Sequence, residues 1–277
     1  MQPRRFGLAR EAAHDRCDGH RIEAARRVGG GTLAGHAGQY IEPVLALRST
    51  VAIPGQCALC AGWGSARVCA ACLLQAAPAR PRCERCAIGV PEGVETCGDC
   101  LRMPPPFDRT IAALDYAPPW PALIARFKFH DALDLAPVFA QRLAAACRAA
   151  QAHAALIVPV PLDAQRLHER GYNQAWELAR RVGGSLGIAT DPSLLLRMRA
   201  TPHQLALPLE RRAANVRGAF AVEPRRRAEV AGRVVAVVDD VMTTGATVAE
   251  IARVLLAAQA SSVQVWTLAR TPRPDDA

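Results

Sequence analysis

The sequence predicts an α/β protein, a parallel sheet flanked by helices, preceded by a cysteine-rich metal module. Three observations predict it. A short β-branched apolar run at 234–238, VVAVV, reads as a strand buried on both faces, as in a parallel sheet. Two acids, a small hydroxyl-rich turn and a helical period follow it directly. Four CxxC pairs lie between 57 and 100. With 277 residues and 51% hydrophobic content, one or two domains and a sizeable core are expected.

The expected divisions are 1–50, an N-terminal extension; 51–103, the metal module; and 107–272, the α/β domain. The first segment mixes Arg, Ala, Gly and scattered acids, with a glycine break at 29–31 and a short helical stretch at 22–28. It shows no core pattern, and Cys17 is isolated. The opening residues have no apolar centre of the kind a secretory signal carries. No apolar run reaches the roughly 18–20 residues of a membrane span. A cytoplasmic protein without a membrane span is the expectation. In that setting ten cysteines point to metal or reduced thiols more than to disulfides.

The pairs are Cys57/Cys60, Cys69/Cys72, Cys83/Cys86 and Cys97/Cys100. Two intervening residues let both thiolates of a pair reach one ion, and two pairs complete a tetrahedral zinc site with bonds of about 2.3 Å. Glycine turns after the first and third pairs, and a helix-like LLQAA after the second, favour sequential pairing; interleaving stays open. Few apolar residues lie between the pairs, so metal must supply much of the folding energy, of order 10–16 kcal/mol per zinc. A closed four-thiolate site is structural, or forms a surface for a partner or single-stranded nucleic acid.

A rigid MPPP linker at 103–106 ends this module. A strand is expected at 110–116, then a helix carrying Leu123, Ile124 and Phe127 with Arg126 and Lys128 near its end. A second helix follows over 137–150, with Cys147 as a buried small residue. Lys128 is the sole lysine in a chain of net charge +9, which invites a functional reading of FKFH. That charge permits a polyanionic partner without identifying one. A short buried strand at 156–158 runs into Pro159 and Pro161, where the chain turns. The basic loop 166–174, RLHERGYNQ, leads into a helix with Ala175, Leu178, Ala179 and Val182 on one face; Asn173 can cap it. Arg166 and Arg170, four apart, can project together and match phosphate oxygens, or simply form a solvated face. After an apolar stretch at 194–196, residues 203–212 look like a mobile lid containing His203, and 209–220 reads as a helix ending near Gly218.

The stretch VVAVVDDVMTTGAT then gathers the chemistry. Val248, Ile251, Ala252 and Leu255 recur at helical spacing after it. A helix start offers unpaired N–H groups and partial positive charge, and small turn residues let a phosphate approach. Asp239 and Asp240 stand at a strand's carboxyl end and suit the hydroxyls of a sugar. A helix cap with no ligand is the alternative. There is no GxGxxG after a strand and no GxxxxGK[ST], which excludes NAD-binding and P-loop ATPase readings.

This stretch resembles the phosphoribosyl-pyrophosphate (PRPP) motif of type I phosphoribosyltransferases. Taken with the four CxxC pairs, FKFH, VPVPLDAQRLHERGYNQA and RMRATPHQLALPLERRAANVRGAF, the chain from about 57 to 270 resembles the ComF (competence protein F, GntX-like) family. It departs at Gln259, where the family usually has glycine, which touches only a turn. The resemblance implies a double zinc ribbon on a type I phosphoribosyltransferase-like sheet. It implies a role in DNA uptake and natural transformation on single-stranded DNA, with a helicase-like ATPase as partner. PRPP with Mg²⁺ would lie along Val238, Asp239, Asp240, Thr243, Thr244, Gly245, Ala246 and Thr247. Backbone donors at Val160 and Pro161 would meet pyrophosphate, and Arg166, Arg170 or Lys128 would offset its charge. Two other readings remain: a salvage transferase acting on a nucleobase, and a non-catalytic DNA-processing adaptor.

Overall fold

The computed structural model describes residues 54–199 and 216–273. The extension expected at 1–50 and the lid expected around His203 and Arg212 lie outside the described residues. All described residues belong to one compact unit that begins at Val51.

Strands β1 (Gly55–Gln56) and β2 (Trp63–Gly64) pair antiparallel, and helices α1 (Ala70–Ala76) and α2 (Gly98–Arg102) begin directly after Cys69 and Cys97. The α/β part then runs β3 (Arg109–Asp115), α3 (Trp120–Phe129), α4 (Ala136–Ala149), β4 (Leu156–Pro159), α5 (Ala164–Arg170) and α6 (Gln174–Leu186). A two-stranded antiparallel ribbon follows, β5 (Leu195–Arg197) with β6 (Phe220–Val222). The chain ends its fold with β7 (Val234–Met242), α7 (Ala246–Ala257) and β8 (Ser262–Arg270). The main sheet has the order β3-β8-β7-β4, and every pairing in it is parallel.

The alternation of β7 explains the layers. Ala236 and Val238 turn to one face with Phe127, Phe139, Leu143, Leu178 and Val182 of α3, α4 and α6. Val235 and Val237 turn to the other, with Val248, Ile251 and Leu255 of α7. All four β7 side chains are fully buried, as a two-sided apolar run requires. The strand is longer than its apolar run. Asp239 pairs with Thr267 and Met242 with Arg270, so the ladder carries both acids inside the strand.

Three features differ from or add to the sequence expectations. Residues 164–170 form helix α5 rather than a loop, because Asp163 caps it, accepting from the Arg166 N–H at 2.9 Å. Most of the helix expected at 209–220 lies outside the described residues, and Phe220, past its expected end near Gly218, opens strand β6. Strand β8, unmarked in the sequence reading, is central to the sheet.

The cysteine module is joined to the sheet, not merely tethered. Cys57 and Val68 enter the larger core, and the Trp120 indole donates to Ala76 O at 2.7 Å. Cys83, Ile88, Cys97 and Cys100 form a small cluster of their own. That cluster's loop is bound by Thr110, whose hydroxyl donates to Arg85 O at 2.6 Å, and by Arg80 and Arg82 on Asp115 at 2.8 and 2.9 Å. No described helix is long and apolar enough to cross a membrane.

Candidate functional site

One pocket gathers most of the sequence-predicted residues at the carboxyl ends of β7 and β4, where open α/β sheets place ligands, though Val238, Pro161 and Thr244 do not line it. Its floor is Asp239 to Thr243 and the start of α7; its walls are Lys128, Phe129, Val160, Leu162, Arg166, Arg170, Gln174 and Arg197.

The turn follows from local sequence. Gly245 caps α7 at φ 79°, a left-handed conformation, and a Cβ there would sit 2.7 Å from Met242 Cε. Thr243, Gly245, Ala246 and Thr247 face the pocket. Thr244 is exposed, and its hydroxyl accepts from the Ala246 N–H at 3.3 Å.

The two acids differ in role because neighbours on a strand point to opposite faces. Asp240 is 3% exposed; its Oδ1 accepts from Val241 N at 2.9 Å and its Oδ2 lies 2.7 Å from Lys128 Nζ. Asp239 is enclosed by protein yet keeps part of its surface open to the pocket, and its Oδ1 accepts from Asp240 N at 2.9 Å. Burial raises the Asp239 carboxyl to about 6, and Lys128 pulls it back only in part. Burial also lowers Lys128 to about 8, opposed by Asp239 and assisted by Arg170. Lys128 reaches the acids from the last turn of α3, which the Tyr172 hydroxyl anchors by donating to Phe127 O.

The opposite wall is cationic. Arg166 Nε lies 3.3 Å from Asp163 Oδ2, and Arg197 Nε lies 3.8 Å from the same oxygen. Arg170 donates to Gln174 Oε1 at 3.0 Å and sits 4.7 Å from the Phe129 ring centroid. Burial lowers both Arg170 and Arg197, and nearby Arg166 adds to each, which describes crowded positive charge facing a cleft. Asn173 caps α6, accepting from Ala175 N at 2.9 Å, and donates to Val160 O at 3.0 Å.

Some expected residues fall elsewhere. The Val238 side chain is in the core. The Val160 N–H donates to Val238 O at 2.9 Å, and Pro161 has no N–H, so the backbone donors expected there are not on offer. Arg197 and Phe129 were not singled out by the sequence. Arg197 reaches the pocket because β5 pairs with β6 across a long gap in sequence, which no local pattern reveals. Phe129 stood within FKFH and was overshadowed by its lysine.

The cysteines divide sequentially: Cys57, Cys60, Cys69 and Cys72, and Cys83, Cys86, Cys97 and Cys100, each with all four sulfurs within 4.8 Å. Sulfur separations of 3.8 Å for Cys60–Cys69 and 3.7 Å for Cys86–Cys97 match the roughly 3.8 Å edge of a tetrahedron with bonds of about 2.3 Å. They are far from the about 2.05 Å of a disulfide. Burial pushes the Cys57 thiol up, but N–H donors from Cys60 and Cys69 outweigh it and hold the thiol low. Burial and the neighbouring sulfurs drive Cys72 up. A cation is what lets all four ionise together, so both clusters fit structural zinc.

No protein-family model matches the chain. It is 38% identical over 232 residues to the DNA utilization protein YhgH of Salmonella typhi, covering 79% of this chain and 98% of that protein. It is 36% identical over 230 residues to YhgH of Escherichia coli K12, with the same coverages of 79% and 98%. Competence protein F of Haemophilus influenzae is 34% identical over 195 residues, 69% of this chain and 85% of that one. Among solved structures, an allosteric regulatory enzyme of purine biosynthesis matches 48% of this chain at 21% identity and TM-score 0.32. The Bacillus subtilis glutamine PRPP amidotransferase matches 47% at 22% identity and TM-score 0.32. This chain spans 25% of each of those two.

Proposed function

The chain belongs to the family of DNA utilization protein YhgH and competence protein F, and on that premise we propose that it binds a phosphoribosyl ligand of the PRPP type while acting on single-stranded DNA. The observation that carries this is the Asp239, Lys128 and Asp240 group at the end of β7, directly before the Gly245-capped start of α7 and faced by three arginines. The 5′-phosphate is assigned to the N–H groups and hydroxyls of 243–247, where the helix dipole favours an anion. Asp239, the acid with surface open to the pocket, takes the ribose hydroxyls, directly or through Mg²⁺. Asp240 holds Lys128 in place. Pyrophosphate falls to Arg166, Arg170 and Arg197, in place of the backbone donors expected at Val160 and Pro161. In a transfer reaction those cations would offset the charge on departing pyrophosphate.

Two further features support the DNA side. Net charge is +9, and Trp63, on the hairpin of the first cysteine cluster, is 76% exposed, a surface suited to stacking on an unpaired base. Zinc in both clusters is structural on this reading, since four thiolates leave no open position. The names of the relatives support a DNA-associated role.

The test incubates metal-replete protein with Mg-PRPP, with and without single-stranded DNA and candidate bases. Calorimetry should show saturable Mg-PRPP binding, and DNA affinity should fall steeply with salt. Pyrophosphate release would identify a transferase, and binding without release a ligand sensor. DNA affinity with no Mg-PRPP binding would reject the phosphoribosyl assignment and leave the adaptor.

A further inference from the structure

Arg270 ends β8, is 8% exposed, and joins two regions that the sequence keeps far apart. Its Nε donates to Cys86 O at 2.8 Å, in the loop of the second cysteine cluster. Its Nη1 donates to Met242 O at 3.2 Å, to Thr271 O at 2.8 Å and to Thr243 O. Met242 and Thr243 open the turn assigned to phosphate. One guanidinium therefore bridges the metal loop and the ligand turn.

The charge balance points the same way. All four acceptors are main-chain carbonyls, which satisfy hydrogen bonds but do not neutralise a cation. A buried charge needs a counter-charge. Four thiolates around one divalent ion leave a net charge of about −2. With a metal bound, the second cluster would supply a counter-charge beside Arg270.

We propose that Arg270 is a positioning residue that couples metal occupancy of the Cys83, Cys86, Cys97 and Cys100 cluster to the conformation of the 243–247 turn, so that metal and phosphoribosyl ligand bind cooperatively. This rests on the assignment of that turn as the phosphate site. The guanidinium is a planar, rigid fork, so a shift of Cys86 on metal loss passes to the Met242 and Thr243 carbonyls. The first cluster meets the α/β part elsewhere, through Trp120 on Ala76 and Arg67 on Asp134, and serves as an internal control. Coupling is reciprocal, so the ligand must also hold the metal.

The experiment follows zinc release from the full chain into a chromogenic chelator, with and without saturating ribose 5-phosphate. Two release phases are expected, one per cluster. The ligand should slow one of them roughly five-fold or more and leave the other unchanged. In Arg270→Met both phases should ignore the ligand, and ribose 5-phosphate affinity should drop about ten-fold. Arg270→Lys keeps the charge but loses the fork, and it decides the matter if Arg270→Met does not fold. Asp239→Asn should weaken the affinity yet keep the coupling at saturation. If the natural chain binds ribose 5-phosphate and neither phase changes, or both slow equally, the coupling is overturned while the site assignment stands. If ribose 5-phosphate does not bind at all, both are overturned.

Discussion

At the scale of single residues, Asp239 and Lys128 set the pH dependence. Their values of about 6 and about 8 leave carboxylate and ammonium charged together between those limits. For stability the signs are opposite. The raised Asp239 favours the folded state below the ordinary carboxylate range and loses that contribution as pH rises through about 6. The lowered Lys128 favours it above the ordinary ammonium range and loses it as pH falls through about 8. Asp239→Asn should cost ribose 5-phosphate affinity roughly ten-fold at neutral pH, the worth of a charged hydrogen bond. That deficit should shrink as Asp239 protonates in the natural chain. Calorimetry across the acid range separates this from protonation of the ligand's own phosphate, which both proteins share; a constant ratio would remove Asp239 from the ligand contact. Asp240 is a poorer probe, because its loss strands buried Lys128. Asp239, Asp240 and Lys128 were legible in the sequence, two by their place after a buried strand and one as the only lysine. Arg197 and Arg270 were not, since their partners are contributed by distant strands and loops.

At the scale of elements, the strand, turn and helix at 234–257 were legible because each carries its own local signal. Apolar β-branched residues, a glycine at positive φ and a helical period agree with one another. Strand β8 hid because Gln264, Thr267 and Arg270 interrupt its apolar run. The structure satisfies each internally: Gln264 accepts from the Trp266 indole at 3.1 Å and donates to His153 O at 3.0 Å, and the Thr267 hydroxyl donates to Ala269 O at 3.1 Å. Gln259, the departure from the family's glycine, stands at φ 69°, the conformation that glycine adopts without strain. The element most exposed to a single change is the turn. Gly245→Ala forces a Cβ against Met242 Cε in a left-handed conformation. It should lower stability by about 1–2 kcal/mol in urea unfolding and weaken ribose 5-phosphate binding about ten-fold or more. Lost stability with unchanged affinity would separate the turn from the ligand.

At the scale of the whole molecule, the cysteine module and the α/β part behave as one body. Spacing indicated two four-sulfur sites, the glycine turns and the helix-like LLQAA favoured sequential pairing, and the structure pairs them so. Spacing could not indicate how the second cluster meets the sheet, because Thr110, Asp115 and Arg270 look like ordinary strand residues in sequence. The result places a four-cysteine loop beside a cationic cleft at the sheet's carboxyl edge. A crystal structure of metal-replete protein with ribose 5-phosphate tests the central claim most directly. The phosphate should lie against the N–H groups of 243–247, with the sugar hydroxyls on Asp239. Phosphate bound only on the outer surface, or a sugar that leaves Asp239 untouched, would contradict it.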